Sequence, residues 1–166
     1  MDWEFMDTGP GGPEWNMAFD EAMLERCVSG ASGGAVLRFY SWERPAVTIG
    51  YACPWGANAD HEACARRGVP VVRRISGGGA VLHDMEITWS LAAPVSLFDN
   101  KLGLAFRRAG RAVIAAAAAL GLPGATRRRN DVLAPNARKI CGCAAVHRGP
   151  AVLVHGTLLL DADPDF

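Results

Sequence analysis

Three consecutive glycines, Gly77, Gly78 and Gly79, come two residues after a segment at residues 69–74 that predicts a strand. Such a run permits positive φ angles and lets backbone N–H groups approach an anion closely, as in phosphate- and carboxylate-binding nests. Arg73 and Arg74 precede it and add positive charge. A flexible turn explains three glycines about as well as a ligand cradle does. The run alone therefore predicts either an anion site or a turn.

The sequence around this run excludes two common nucleotide-binding motifs. The Gly-Lys-Ser/Thr ending of a P-loop is absent, and no helix with Rossmann spacing follows the glycines. If the strand continues through Arg73 and Arg74, the two side chains point to opposite faces. We expect Arg74, which is nearer the glycines, to face the ligand.

The remaining pattern mixes helices with short strands and lacks a strict alternation of the two. Asn16 is expected to cap the first helix, and residues 80–82 and 86–93 are expected to form a hairpin. Helices are predicted at residues 16–29, 59–67 and 97–120, and strands at 35–40, 46–50, 69–74, 80–82, 86–93, 132–133, 139–146 and 151–160. This pattern predicts an α+β domain in which helices cover a mostly antiparallel or mixed sheet.

Length and composition predict one compact domain over residues 1–166, because half of the residues are hydrophobic and a fifth are charged. The longest strongly apolar stretch, residues 112–120, is too short to cross a bilayer, and the N-terminus lacks the features of a secretory signal. We expect a cytoplasmic protein without a membrane partner. The net charge is zero, so the arginines at 107–108 and 127–129 are interpreted as solvated charge rather than a nucleic-acid site.

Residues 73–84, Arg-Arg-Ile-Ser-Gly-Gly-Gly-Ala-Val-Leu-His-Asp, resemble the signature loop of the lipoate–protein ligase and octanoyltransferase family, whose members share a biotin/lipoate ligase catalytic domain of class II. Later blocks at 130–132, 138–144 and 155–159 are similar in order and spacing to the family's Asn-Asp, Lys-x-x-Gly-x-Ala and His-Gly-Thr segments. The segments 16–22 and 37–42 also resemble family positions. The resemblance covers about residues 1 to 162.

The resemblance implies a two-step reaction in which lipoate or octanoate attacks ATP, with Mg²⁺, to give an acyl-adenylate. The acyl group then passes to a lysine of a lipoyl-carrier domain, in a 2-oxoacid dehydrogenase subunit or the glycine cleavage H protein. Lys139 is expected to be the catalytic cation that stabilises the oxyanion of each step. Residues expected to bind the acyl-adenylate are Arg74, Ser76, Gly77, Gly78, Gly79, Ala80, His83, Asn130, Asp131, Gly142, His155, Gly156 and Thr157.

Several of these residues have a second interpretation. Ser76 either donates to the adenylate or closes a turn, and His83 is expected to fix the end of the loop, with general-base work as the minor alternative. Asp131, beside Asn130, is a candidate Mg²⁺ ligand because Mg²⁺ prefers hard oxygen atoms, although a turn explains the pair almost as well. His155 is either part of the acyl tunnel wall or a support for the loop.

The chain departs from the family pattern at its cysteines. The octanoyltransferase branch that it resembles carries a nucleophile before the lysine block, where residues 126–131 contain no cysteine. Cys141 and Cys143 are alternative nucleophiles, since a strand places both on one face near Lys139, and a neighbouring cation lowers a thiol pKa. We therefore expect a ligase; the alternatives are a thioester-forming transferase and a non-catalytic relative that binds lipoyl-AMP.

The chain also departs from the family pattern at its C-terminal end. Family catalytic domains usually continue with more sheet and helix after the His-Gly-Thr block, whereas Phe166 follows that block closely. We also expect residues 1–166 to contain no accessory domain. We therefore expect a domain that is incomplete at its C-terminus, or a separate accessory protein.

Overall fold

A computed structural model describes residues 2–161 and contains two sheets. The large sheet has seven strands in the order β1-β2-β6-β10-β9-β8-β7, and the small sheet has three in the order β4-β3-β5. The strands are β1 (Asp2–Gly11), β2 (Gly34–Trp42), β3 (Ala46–Ile49), β4 (Val71–Arg73), β5 (Ala80–His83), β6 (Glu86–Pro94), β7 (Thr126–Arg128), β8 (Asp131–Leu133), β9 (Lys139–Arg148) and β10 (Ala151–Leu159). β1–β2 and β3–β4 are parallel and the other pairs antiparallel, which confirms the predicted mixed sheet.

Two helices cover opposite faces of the large sheet: α1 (Pro13–Val28) and α3 (Leu102–Ala119), while α2 (His61–Arg66) lies between β3 and β4 in the chain. Alternation along β10 shows the two layers. Leu153 packs in one core cluster with residues of α1, whereas Val152 and Val154 pack in another with residues of α3. Successive strand residues point to opposite faces, so the sheet is buried on both sides. The predicted α+β class is confirmed.

Three sequence predictions about the elements were wrong. Asn16 does not cap α1, because the helix begins at Pro13, a residue suited to the first helical position, with Gly12 before it. The expected hairpin does not form, since β5 pairs with β3 while β6 pairs with β2 and β10. The single helix predicted at residues 97–120 does not form over that whole range, since α3 begins at Leu102. A short 3₁₀ helix, Val95–Phe98, precedes it, and the positive φ angles at Asp99 and Asn100 separate the two helices.

The strand β1 was not predicted, and neither was β7. In both, a large share of the side chains is exposed, so neither carries the apolar run on which the predictions depended. None of the helices within residues 2–161 is long and apolar enough to cross a membrane.

Candidate active site

A cavity of about 550 Å³ lies between the glycine run with β5 on one side and β8, β9 and β10 on the other. That volume is within the range of small-molecule sites. The predicted site residues that line it are Arg74, Gly77, Gly78, Gly79, Ala80, His83, Asn130, Asp131, Lys139, Gly142, Cys143, His155, Gly156 and Thr157. The other residues that line the cavity are Met17, Tyr40, Thr48, Val81, Leu82, Thr88, Phe106, Ala144, Ala145 and Leu159.

Arg74 shapes the glycine run from beneath. Its Nη2 donates to the carbonyl oxygens of Gly77 and Gly79 at 2.8 and 2.9 Å, and its Nη1 donates to the carbonyl of Thr48 at 3.0 Å. Burial lowers the pKa of this guanidinium below its usual value. Arg74 therefore places a buried positive charge under the loop and holds its carbonyls in place.

Gly78 is the position at which the loop requires glycine. Its φ of +104° lies in the region that L side chains avoid, and a Cβ there would lie 2.7 Å from Nη2 of Arg74. Gly77 has no such restriction, since a Cβ there would meet nothing within 4 Å. The close approach of loop and arginine thus depends on Gly78.

Arg73 points away from this loop, as strand alternation predicts. Its Nη1 donates to the backbone carbonyls of Gly50, Tyr51 and Cys53 at 2.7–2.8 Å. It does not line the cavity. The two neighbouring arginines thus stabilise different loops.

Ser76 is fully buried and does not line the cavity. Its hydroxyl lies 2.6 Å from Nε2 of His155, whose Nδ1 lies 2.9 Å from Oδ2 of Asp20. A carboxylate only accepts, so Nδ1–H donates to Asp20 and Nε2 accepts from Ser76. This chain of hydrogen bonds anchors the start of the glycine run to α1.

Asp20 is the centre of a buried polar cluster. It pairs with Arg38 at 3.0 Å and accepts from the hydroxyls of Tyr40 and Ser90 at 3.1 and 2.7 Å, in addition to His155. Arg38 has no exposed surface, and its Nη2 donates to Oδ1 of Asn16 at 2.6 Å. Because these polar groups all have hydrogen-bond partners, the free-energy cost of burying the two charges is offset.

The sequence carries a signal for this cluster. Asp20 interrupts the apolar stripe of α1, three residues after Met17 and four before Leu24. Arg38 likewise interrupts the inward positions of β2. A charged residue at an inward position of a helix and another at an inward position of a strand indicate a buried ion pair.

His83 forms a second carboxylate–imidazole–hydroxyl chain at the cavity wall. Its Nδ1 lies 2.6 Å from Oε1 of Glu86, its Nε2 lies 2.8 Å from Oγ1 of Thr48, and its ring stacks on Trp42 at 4.1 Å. Nη1 of Arg74 donates to the same Thr48 oxygen at 3.1 Å. Burial lowers the pKa of His83, although Glu86 opposes that shift.

Lys139 begins β9 and forms a half-exposed salt bridge with Asp131, with Nζ 2.9 Å from Oδ1. A Cβ at Gly142 would lie 2.7 Å from Nζ, so glycine at this position leaves room for the lysine to lie against the strand. Asn130 precedes Asp131 in the turn between β7 and β8, and its carbonyl accepts from the N–H of Cys143 at 2.9 Å. Lys139 is thus a positioned cation at the cavity.

Cys141 and Cys143 share one face of β9, with their sulfur atoms 3.9 Å apart. Cys141 is buried in the core cluster under α3, and its pKa is raised by the hydrogen bond to Cys143 and by burial. Cys143 lines the cavity, and its pKa is lowered by the Cys141 thiol and by Lys139. Only Cys143 is therefore placed to meet a ligand.

No group of three or more His, Cys, Asp or Glu side chains within residues 2–161 is arranged to hold a metal ion. All five cysteines are free.

Comparison with known proteins identifies the family. Residues 12–166 match the lipoyl protein ligase A/B catalytic domain. Octanoyltransferase LipM of Carboxydothermus hydrogenoformans is 31% identical over 180 residues, covering 98% of this chain and 66% of that protein. A putative lipoate-protein ligase A of Aeropyrum pernix is 37% identical over 163 residues, covering 96% of this chain and 58% of that protein.

Solved structures of ligases have the same fold. A bi-partite lipoate protein ligase of Thermoplasma acidophilum, studied with its E2 lipoyl domain, has a TM-score of 0.86 at 29% identity, covering 99% of this chain and 64% of that chain. A lipoate-protein ligase A bound with ATP has a TM-score of 0.85 at 28% identity, covering 99% and 71%. The chain thus spans about two thirds of the length of its relatives. It belongs to the lipoyl protein ligase A/B catalytic-domain family.

Proposed function

We propose that this chain activates lipoate or octanoate as an acyl-adenylate and transfers the acyl group to a lysine of a carrier domain. The observation that carries the proposal is the position of Lys139, which lines the same cavity as the glycine run and whose Nζ is held by Asp131. A positioned cation facing a loop of backbone donors is suited to an anionic mixed anhydride.

The first step joins the acyl carboxylate to the α-phosphorus of ATP and releases pyrophosphate. Negative charge increases on the phosphoryl oxygens as this bond forms. Lys139 lowers the energy of that charge directly, and the buried Arg74 does so through the field beneath the loop. Both cations are fixed before the substrate enters, so little reorganisation accompanies the reaction.

Part of the cavity lining is apolar and suits an acyl chain. Met17, Val81, Leu82, Phe106 and Leu159 all line it. Apolar walls with a few placed polar groups are typical of small-molecule sites. This arrangement supports a medium-chain acyl substrate.

ATP is proposed as the second substrate because a family member of 28% identity has been solved with ATP bound. Mg²⁺ usually takes one or two protein carboxylates and completes its shell with phosphate oxygens and water. Among the residues described, Asp131 is the single carboxylate that lines the cavity, which fits that requirement. Mg²⁺ would supply charge neutralisation of the phosphates.

A lipoyl domain is the proposed acyl acceptor, and a separate accessory protein is a proposed partner. The bi-partite ligase of Thermoplasma acidophilum, which was studied with its E2 lipoyl domain, supports both proposals.

Two assays test the proposal: ATP–pyrophosphate exchange with lipoate or octanoate, and calorimetric binding of a non-hydrolysable octanoyl-sulfamoyl adenosine. We expect Lys139→Ala to reduce exchange by about 10²–10³-fold, the usual effect of removing one oxyanion-stabilising group. The matched control is Lys101→Ala, at an exposed position that does not line the cavity. Exchange that is unchanged in Lys139→Ala contradicts the assigned role.

The unaltered protein sets the limits of the proposal. If that protein shows no exchange and does not bind the analogue, the proposed activity is ruled out. If the protein binds the analogue but shows no exchange, even when a carrier domain and a cognate accessory protein are added, the result would support a non-catalytic relative.

A second candidate is octanoyl transfer through a thioester, which the position of Cys143 at the cavity supports. The similarity to an octanoyltransferase of 31% identity points the same way. Intact mass after incubation with octanoyl-carrier protein tests it. An adduct that is lost in Cys143→Ser and retained in Cys141→Ser supports this route, and the absence of any adduct excludes it.

A further inference from the structure

The acyl-transfer step requires a base. A lysine side chain has an ordinary pKa near 10.4, so the acceptor enters the cavity as an ammonium and cannot attack until it loses a proton. Lys139 is itself a cation bound to Asp131 and is not suited to this task. The base must therefore be sought among the other titratable groups at the cavity.

Two histidines are the candidates, because among the described residues that line the cavity only His83 and His155 have an ordinary pKa near neutrality. Both ring nitrogens of His155 contact buried groups that do not line the cavity, Asp20 and Ser76. His83 differs, because its Nε2 faces the Thr48 hydroxyl and Thr48 itself lines the cavity. A proton path from the cavity therefore ends at His83 and not at His155.

The hydrogen bonds around His83 fix the tautomer that a base requires. Ionised Glu86 can only accept, so Nδ1 of His83 carries the hydrogen that lies in the 2.6 Å contact. Arg74 can only donate to Oγ1 of Thr48, which leaves the Thr48 hydroxyl hydrogen free to point at Nε2 of His83. Nε2 of His83 thus presents its lone pair to the Thr48 hydroxyl.

We propose that His83 is the general base of the acyl-transfer step and accepts the proton of the carrier lysine through the hydroxyl of Thr48. Thr48 is the group that touches the substrate, and Glu86 is a positioning residue that stabilises the imidazolium. The inference rests on the proposed function, since it concerns the second step of that reaction.

The step balances as follows. The lysine ammonium gives one proton to the Thr48 oxygen while the Thr48 proton moves to Nε2 of His83. The neutral amine then attacks the acyl carbon, the C–N bond forms, and the C–O bond to phosphate breaks. AMP leaves with the bonding electrons of that C–O bond and accepts the second nitrogen proton on its phosphate. The product is the amide, and His83 returns its proton to water.

Three charged or titratable groups act on His83: Glu86 on β6, Arg74 after β4, and His155 on β10. Glu86 raises the pKa of His83, whereas Arg74 and His155 lower it along with burial, and the net direction is downward. The ring is therefore neutral at pH 7 and available as a base.

The experiment separates the two half-reactions. Single-turnover transfer is started with synthetic octanoyl-adenylate and a carrier domain, and pyrophosphate exchange is measured in parallel. We expect His83→Gln to slow transfer by about 10²–10³-fold, the usual contribution of a general base. Exchange should fall at least about tenfold less than transfer does, because the first step needs no such base.

Thr48 provides the matched pair. Thr48→Val keeps the shape and removes the hydroxyl, so transfer should slow as in His83→Gln, whereas Thr48→Ser should restore it. In the unaltered protein the transfer rate should fall in acid as His83 becomes protonated, and that fall should be absent in His83→Gln.

Two results would overturn the proposal. Equal losses of exchange and transfer would mean that His83 only supports the loop through Thr48 and Arg74. Unchanged transfer in His83→Gln would mean that it has no role in this step. The adenylate is supplied ready-made, so transfer can be measured even in a protein that does not form adenylate. Failure of the proposed function, seen as absent exchange, is therefore distinguishable from failure of the base proposal, seen as unchanged transfer in His83→Gln.

Discussion

The hydroxyl of Ser76 donates to Nε2 of His155 across 2.6 Å, and this contact ties the glycine run to the strand β10. Both groups are buried, and the other nitrogen of the ring is held by Asp20 on α1. The loop that lines the cavity is therefore fixed from behind by the core. Its shape depends on residues that no ligand touches.

Removing this hydroxyl should weaken the fold. Ser76→Ala leaves the buried Nε2 of His155 without a partner, which should lower the free energy of unfolding by about 1–3 kcal/mol. Urea denaturation measures the change. Ser29→Ala is the control, because that exposed serine bonds only a helix-end carbonyl. Equal stabilities of Ser76→Ala and the unaltered protein would contradict the anchoring role.

Neutralising the centre of the buried cluster should have a larger effect. Asp20→Asn leaves the buried Arg38 charge unpaired, which should reduce the free energy of unfolding by about 3–5 kcal/mol. Thermal and urea unfolding should both report it. Asp99→Asn makes the same chemical change at an exposed site and should have little effect. A loss no greater than in Asp99→Asn would exclude a structural ion pair.

The glycine run offers a matched comparison between neighbours. Gly78→Ala places a Cβ against Arg74 at a φ of +104°, whereas Gly77→Ala adds a methyl group in open space. We expect Gly78→Ala to lose at least about 1–2 kcal/mol of stability from backbone strain alone. Unfolding curves of the two variants provide the measurement. Similar losses in both would show that the loop does not require its observed conformation.

The two cysteines of β9 should differ in reactivity. Thiolate is the reactive form, and the pKa of Cys143 is lowered while that of Cys141 is raised. Iodoacetamide should therefore label Cys143 first, and at lower pH than an ordinary thiol. Peptide mass spectrometry of pulse-labelled native protein measures this. Lys139→Ala should slow the labelling of Cys143, and preferential labelling of Cys141 would contradict the assignment.

Local pattern predicted most of the strands and their mixed sheet, but not their pairing. β5 and β6 are separated by two residues and were expected to form a hairpin, yet they lie in different sheets. Alternation of apolar residues shows that a segment is a strand but does not identify its neighbour. The neighbour is decided by which apolar faces bury each other, and that depends on segments far apart in the sequence.

The sequence by itself determined the family, the glycine run and the cation Lys139, because each is carried by adjacent residues. Only the tertiary structure decided which of the predicted residues reach the cavity. Ser76 and Cys141 turn into the core, and Cys143 faces the cavity opposite Gly156. The physical reason is packing between segments that are far apart in the sequence. Cys141 and Cys143 share one face of β9, but Cys141 lies in the core cluster with residues of α3, whereas Cys143 lies where the cavity opens.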